Sequence, residues 1–313
     1  MEAEQLGEAR VTPSISVPLR AFISMVVAMD SSCRHCYGAF RSMLKILGYP
    51  EGLIRELEES FATNQLTNKE QAALEFARKV SHSAPRPSAS DLRELTAAGY
   101  SQLEIAEIAY LASLSAAGNR LATLLAVPPS PLEEINANWF TKLKRPFTRK
   151  EFRASLSYVV NVPYPAEFVG PCAGIIRALE GSPAGAALAT VLHNAWNSTI
   201  TSKRVKALIF AVVARGLGCP ACEAEASEVL REEGWSDPEI EHVLTHLTSD
   251  KLDPFEQKVL SFARETVRYQ TRRLQELAQT FAKGLKREVL IEVLGLVSYA
   301  NGLARMSILL HRC

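Results

Sequence analysis

The chain has 313 residues, 47% of them hydrophobic, and a formal net charge of +1. That length supports two domains or one pseudo-symmetric body with a sizeable core, and the near-neutral charge shows neither the basic excess of a nucleic-acid binder nor the acidic excess of a disordered tail. The longest apolar runs, Phe22 to Met29 and Ala207 to Ala214, are too short to span a bilayer, so no membrane helix is expected.

Residues 1 to about 15 are polar, contain Pro13 and read as a loose arm. The acidic opening Met1-Glu2-Ala3-Glu4-Gln5 lacks the basic and apolar regions of a secretory signal, so a cytoplasmic location is expected. Residues 19–29 form a compact apolar segment that reads as a buried helix. Asp30-Ser31-Ser32 offers capping chemistry to a helix that begins at or beside Cys33 and runs through Leu44, Ile46 and Leu47 until Gly48 and Pro50 stop it. A short helix over 51–61 follows. Thr67-Asn68-Lys69-Glu70 is a capping box for a helix over 68–81, and residues 82–90 read as a loop. Two further helices are expected over 90–98 and 102–124, the second opened by Ser101 and Glu104, before Pro128-Pro129-Ser130-Pro131 ends the block.

Residues 126–204 carry a basic run, Lys142-Leu143-Lys144-Arg145, that reads as solvated surface. An aromatic and proline-rich segment from Tyr158 to Phe168 follows, with a turn at Pro163-Tyr164-Pro165. A helix from Pro183 to Asn197 is then expected, capped by Ser182. Beyond Lys203, Ser236-Asp237-Pro238-Glu239 and Asp253-Pro254-Phe255-Glu256 open two more helices. No strand ladder is legible, so the fold is expected to be all-α.

Two stretches share a Cys-x-x-Cys spacing: Cys33-Arg34-His35-Cys36 and Cys219-Pro220-Ala221-Cys222, offset by 219 − 33 = 186. The same register pairs Val26-Val27-Ala28 with Val212-Val213-Ala214, Gly48 with Gly234, and Phe76-Ala77-Arg78 with Phe262-Ala263-Arg264. After one lost residue the offset becomes 185, pairing Gly99 with Gly284, Glu107 with Glu292, and Arg120 with Arg305. The chain therefore reads as an internal duplication: copy one over 1–125, a connector over 126–202 and copy two over 203–313. The copies are expected to pack as a pseudo-dimer.

A Cys-x-x-Cys at a helix start brings two sulphurs onto one face, and exposed helix N-terminal amides favour a thiolate there. Arg34 and His35 favour it further in copy one, where Tyr37 is a candidate proton donor. In copy two Glu223 opposes a thiolate unless it serves as the base, so copy one is expected to hold the more reactive pair. Two pairs can share one zinc ion, but each pair here opens its own helix without a glycine-rich knuckle, and no metal is expected. Neither an organic cofactor nor haem is implied. Glu239, His242 and His246 share one side of a short helix and read as a solvated face, because Glu56 and Ser60 stand at the positions matching the two histidines. Cys172, after Pro171 at a helix start, reads as a buried structural thiol, and Cys313 as an oxidisable end. Arg120 and Arg305 are expected to tie helices together through carboxylates such as Glu107 and Glu292.

The apolar helix, the helix-opening Cys-x-x-Cys, the glycine a dozen residues later and the closing Asn119-Arg120 segment resemble the AhpD-like branch of the carboxymuconolactone decarboxylase superfamily. The resemblance covers about residues 19–124 and 203–309. It implies an all-helical homo-oligomer with peroxidase or disulfide reductase activity on a small-molecule peroxide or disulfide. It further implies that Cys36 and Cys222 attack, that Cys33 and Cys219 resolve, and that a thioredoxin-like or lipoyl-type dithiol regenerates them. The family's relay histidine and glutamate positions hold Phe40 and Ala21 in copy one, and Ala226 and Ala207 in copy two. A general base must then come from His35, Glu223 or Glu225. A cofactorless decarboxylase-like enzyme and a non-catalytic helical scaffold are the competing expectations.

Overall fold

The computed structural model describes residues 12–60, 65–81, 88–129 and 171–310. The basic run at 142–145, the aromatic and proline-rich segment, most of the 82–90 loop and Cys313 lie outside these residues. Fourteen α-helices and no strand occur among the described residues, so the fold is all-α.

Six helices come from the first part of the chain: α1 (Val17–Asp30), α2 (Arg34–Leu47), α3 (Glu51–Ser60), α4 (Asn68–Ser81), α5 (Ala89–Ala97) and α6 (Gln102–Leu124). Two follow in the connector, α7 (Ala173–Ala178) and α8 (Pro183–Asn197). Six more complete the chain: α9 (Lys203–Leu217), α10 (Pro220–Glu232), α11 (Asp237–His246), α12 (Pro254–Glu265), α13 (Thr271–Ala282) and α14 (Arg287–Leu310).

Local chemistry sets most boundaries. Ser101 with Glu104, Ser236 with Glu239 and Asp253 with Glu256 close reciprocal capping boxes, and Ser182 caps α8 with proline in its first turn. Gly48 ends α2 in the left-handed conformation, its N–H returning to the Leu44 carbonyl. Ser88 and Asp91 form a capping box that starts α5 at Ala89. The expected loose arm is tied down where it is described: Thr12 and Ile15 are buried, and the Ser14 amide donates to Glu107 at 3.0 Å.

The first six helices and the last six share part of their packing. Helix α1 lies against α2, α4 and α6, while α9 lies against α10, α12 and α14. The largest helix–helix contact joins the halves, α6 against α14, and one continuous apolar core runs through both. That crossing is tight at Gly302, where an added Cβ would sit 2.8 Å from the Ser113 carbonyl oxygen and 2.9 Å from the Ala117 Cβ. Helix α14 is long and apolar enough to cross a bilayer by length and composition, but 78% of that stretch is buried inside the protein, as befits a core helix. Glu292, Ser298, Asn301 and Arg305 interrupt its apolar sequence, so no long apolar run marks it.

The expected arginine–carboxylate ties are corrected. Arg120 Nε donates to the Thr266 carbonyl at 3.1 Å, and Arg305 Nη1 donates to the Val80 carbonyl at 3.5 Å. Glu107 instead accepts from Ser182 and stands near Arg20, and Glu292 lies 3.9 Å from Lys206. Both acceptor carbonyls end a fourth helix, and 266 − 80 = 186 repeats the register of the thiols. Each arginine crosses to the half it does not belong to.

Candidate functional site

In the first half, Cys33 itself is the N-cap of α2, and the capping role expected of Asp30-Ser31-Ser32 falls to its sulphur. Cys33 Sγ accepts from the Cys36 N–H at 3.4 Å. Asp30 closes α1 and pairs with Arg78, while the Ser31 hydroxyl donates to the Val27 carbonyl. The Cys36 thiol also hydrogen-bonds to Cys33, and this bond, helped by the N–H groups of Cys36 and His35, holds the Cys33 thiol below its ordinary range despite burial. Ala28, Ala122, Phe40, Tyr37 and Val127 wall the pair.

The neighbouring groups of the first pair are engaged elsewhere. His35 Nδ1 donates to the Pro128 carbonyl at 2.8 Å, which leaves Nε2 as the basic nitrogen. Arg34 is exposed. The Tyr37 hydroxyl donates to Glu58 at 2.5 Å, and burial followed by that carboxylate pushes its pKa up to about 12. Phe40, at the position of the family's relay histidine, is part of the apolar wall.

The second pair is built differently. Cys219 caps α10 without a side-chain capping bond, and Pro220 follows it. Its thiol donates instead to Cys222, with the sulphurs 2.7 Å apart. Closing to a disulfide bond of about 2.05 Å takes ~0.6 Å of sulphur travel. The Cys222 sulphur, then burial, push Cys219 above its ordinary range, whereas Ser307 pulls it down. Cys222 is pushed up first by its hydrogen bond with Cys172. Glu223 is neutralised by Arg215, at 2.5 Å, which also binds Glu241 at 2.6 Å. Glu225 accepts from the Cys172 and Gly174 amides. An open surface pocket lies over this end of α10, lined by Arg215, Glu223, Arg231 and Cys219 among others.

All four sulphurs of the two pairs belong to buried residues: Cys33 and Cys36 are each 4% exposed, Cys219 0% and Cys222 3%. A reagent reaches them only when the covering side chains move. The cysteines of both pairs, and Cys172, are free thiols. Among the described residues no group of three or more His, Cys, Asp or Glu side chains is arranged to hold a metal ion. Glu239 is bound by Lys251 at 2.7 Å, and the His242 ring is tilted against that of His246, their centroids 4.6 Å apart.

Three contributors escape a reading of the two motifs. Cys172 comes from the unmatched connector and has no register to mark it. Ser307 hydrogen-bonds both thiols of the second pair, and its matched position, 307 − 185 = 122, holds Ala122 against the first pair. That serine-for-alanine difference was visible in the register. Tyr269 crosses from the second half to the first: its hydroxyl donates to the Asn119 carbonyl at 3.1 Å and lies 2.7 Å from the Thr123 hydroxyl. Burial, and more weakly Cys33 and Cys36 nearby, push its phenol above the ordinary range. Thr271, two residues on, donates to the Ser31 carbonyl at 3.4 Å.

Comparison of the chain with protein-family models, curated proteins and solved structures finds no match, so the site stands on its own geometry.

Proposed function

We propose that the protein is a thiol oxidoreductase in which Cys33 and Cys36 cycle between dithiol and disulfide, reducing a hydroperoxide or exchanging a substrate disulfide. The observation that carries this reading is Cys33 as a helix N-cap, with a thiol and two amide N–H groups converging on its sulphur. These bonds favour the thiolate, the nucleophilic form of a thiol. They favour Cys33 as the attacking sulphur, where the AhpD-like resemblance implies Cys36.

With a hydroperoxide, the Cys33 thiolate takes one oxygen as a sulfenic acid and the alcohol leaves with a proton. Cys36 then displaces that hydroxyl as water and the bridge closes. With a disulfide, Cys33 forms a mixed disulfide as one substrate thiol departs, and Cys36 releases the other. A thioredoxin-like or lipoyl-type dithiol returns the pair to the reduced state. The two halves are proposed to form a pseudo-dimer about α6 and α14, supported by the crossed arginine contacts, and the chain to assemble further into a homo-oligomer.

Burial of both pairs favours a second reading, a helical scaffold whose thiols only pack. Stopped-flow oxidation of the reduced protein by hydrogen peroxide, an organic hydroperoxide and a small disulfide, with bridges mapped by mass spectrometry, separates the two. Rapid closure of Cys33 to Cys36, lost in Cys33→Ser and Cys36→Ser, supports the oxidoreductase. Oxidation of neither pair faster than free cysteine leaves the scaffold.

A further inference from the structure

Cys222 has two sulphur partners. The Cys219 thiol donates to it, with the sulphurs 2.7 Å apart, and Cys222 in turn hydrogen-bonds to Cys172. Cys172 arrives from the connector, 1% exposed, at the N-cap of α7. Its backbone takes φ 78°, a left-handed conformation that a residue with a Cβ rarely adopts. What holds it there is Glu225, one turn after Cys222 on α10, whose carboxylate accepts from the Cys172 N–H and, at 3.5 Å, from the Gly174 N–H. The same helix therefore carries Cys222 and the clamp that seats Cys172 against it. In the first half no third cysteine exists, and its sequence contains only Cys33 and Cys36.

We infer that Cys172 is a third redox-active thiol, which exchanges into the Cys219–Cys222 disulfide to form a Cys172–Cys222 bridge and sets Cys219 free. The inference rests on the proposed oxidoreductase reading, since a hydroperoxide or disulfide must first close the Cys219–Cys222 bond. The exchange itself needs no further oxidant. The Cys172 sulphur attacks Cys222, the Cys172–Cys222 bond forms as the Cys219–Cys222 bond breaks, and Cys219 leaves with the proton that Cys172 gives up.

The two bridges differ in where they leave the free thiol. With Cys172–Cys222 closed, Cys219 is a reduced thiol lining the charged pocket between Arg215 and Arg231. Cys219 is itself buried, so a reducing partner or a second substrate reaches it from the pocket once the covering side chains move. With Cys219–Cys222 closed, the remaining thiol is Cys172, equally buried but not part of that pocket's lining. The connector thus decides whether the remaining thiol belongs to the pocket's wall or lies away from it.

The test uses the full-length reduced protein, oxidised with limiting hydroperoxide or with a small disulfide, quenched in acid at increasing times, alkylated and digested without reduction. The expected result is a Cys219–Cys222 peptide that gives way to a Cys172–Cys222 peptide while Cys219 becomes alkylatable. Cys172→Ser stops the sequence at Cys219–Cys222, and Cys219→Ser, lacking the bridge that Cys172 exchanges into, loses the rapid appearance of Cys172–Cys222. If Cys172 stays alkylatable throughout while Cys219–Cys222 and Cys33–Cys36 close, the inference is overturned and the oxidoreductase reading stands. If no pair closes in either half, both fall.

Discussion

At the scale of single residues, what surrounds a thiol decides its chemistry, and the two pairs share a spacing but not an environment. Hydrogen bonds lower Cys33, whereas sulphur partners and burial raise Cys219 and Cys222. Pulsed alkylation across pH should therefore label Cys33 with a midpoint below the ordinary thiol value of 9.0, and the second pair only above it. A reversed order would refute the assignment. The linkage follows the same signs: the raised thiols contribute stability in full below 9.0, which is lost as pH climbs through their higher folded values. Cys33 contributes in the opposite sense, fully above 9.0 and less as pH falls through its lowered folded value. Ser307 lowers both thiols of its pair, so Ser307→Ala should slow their alkylation about fivefold, the equivalent of one hydrogen bond worth ~1 kcal/mol. No change in rate would remove Ser307 from the site. Spacing alone made the four paired cysteines legible in the sequence. Cys172 was not, because a contact between residues 172 and 222 depends on how the connector folds, and no repeat position announces it.

Among the helices, boundaries were legible wherever a side-chain oxygen caps a free N–H, as at Ser101, Ser182, Ser236 and Asp253. The start of α2 beside Cys33 was legible, but its cap was not: three good cap formers precede it, yet the chain leaves α1 in a turn that brings Cys33 to the cap instead. Equally hidden was how closely α6 and α14 approach. Gly302→Ala adds a Cβ 2.8 Å from the Ser113 carbonyl oxygen, so it should cost about 1–3 kcal/mol from forced displacement, outweighing the ~1 kcal/mol that alanine gains over glycine in a helix. Gly295, in the same helix, has nothing within 4 Å of an added Cβ. Gly295→Ala should therefore stabilise by up to ~1 kcal/mol. Urea denaturation of both variants measures the difference, and equal effects at the two sites would show that the crossing is looser than described.

For the molecule as a whole, an all-α fold was legible from periodicity and caps, while the way the halves grip each other was not. Arg120 and Thr266 lie 146 residues apart, Arg305 and Val80 225 apart, and no local pattern links such positions. Burial lowers Arg120 to about 10 and Arg305 to about 9, and neither guanidinium reaches the carboxylate expected of it. Because the core is continuous across the α6–α14 contact, heating should unfold both halves in one transition with matching calorimetric and van't Hoff enthalpies. Two resolved transitions would mean that the halves fold independently. The crossed arginines carry a last consequence, for how the halves drift apart in sequence. Each guanidinium is received by main chain, at a valine on one side and a threonine on the other, so the clasp does not read the identity of the residue that receives it. The valine and the threonine can change without loss of these two hydrogen bonds, although Arg120 also lies over the Tyr269 ring at 4.9 Å and so ties that side chain to the joint. One thiol site can thus carry a serine and a third cysteine while the other keeps its alanine, with the two main-chain hydrogen bonds of the joint unaffected.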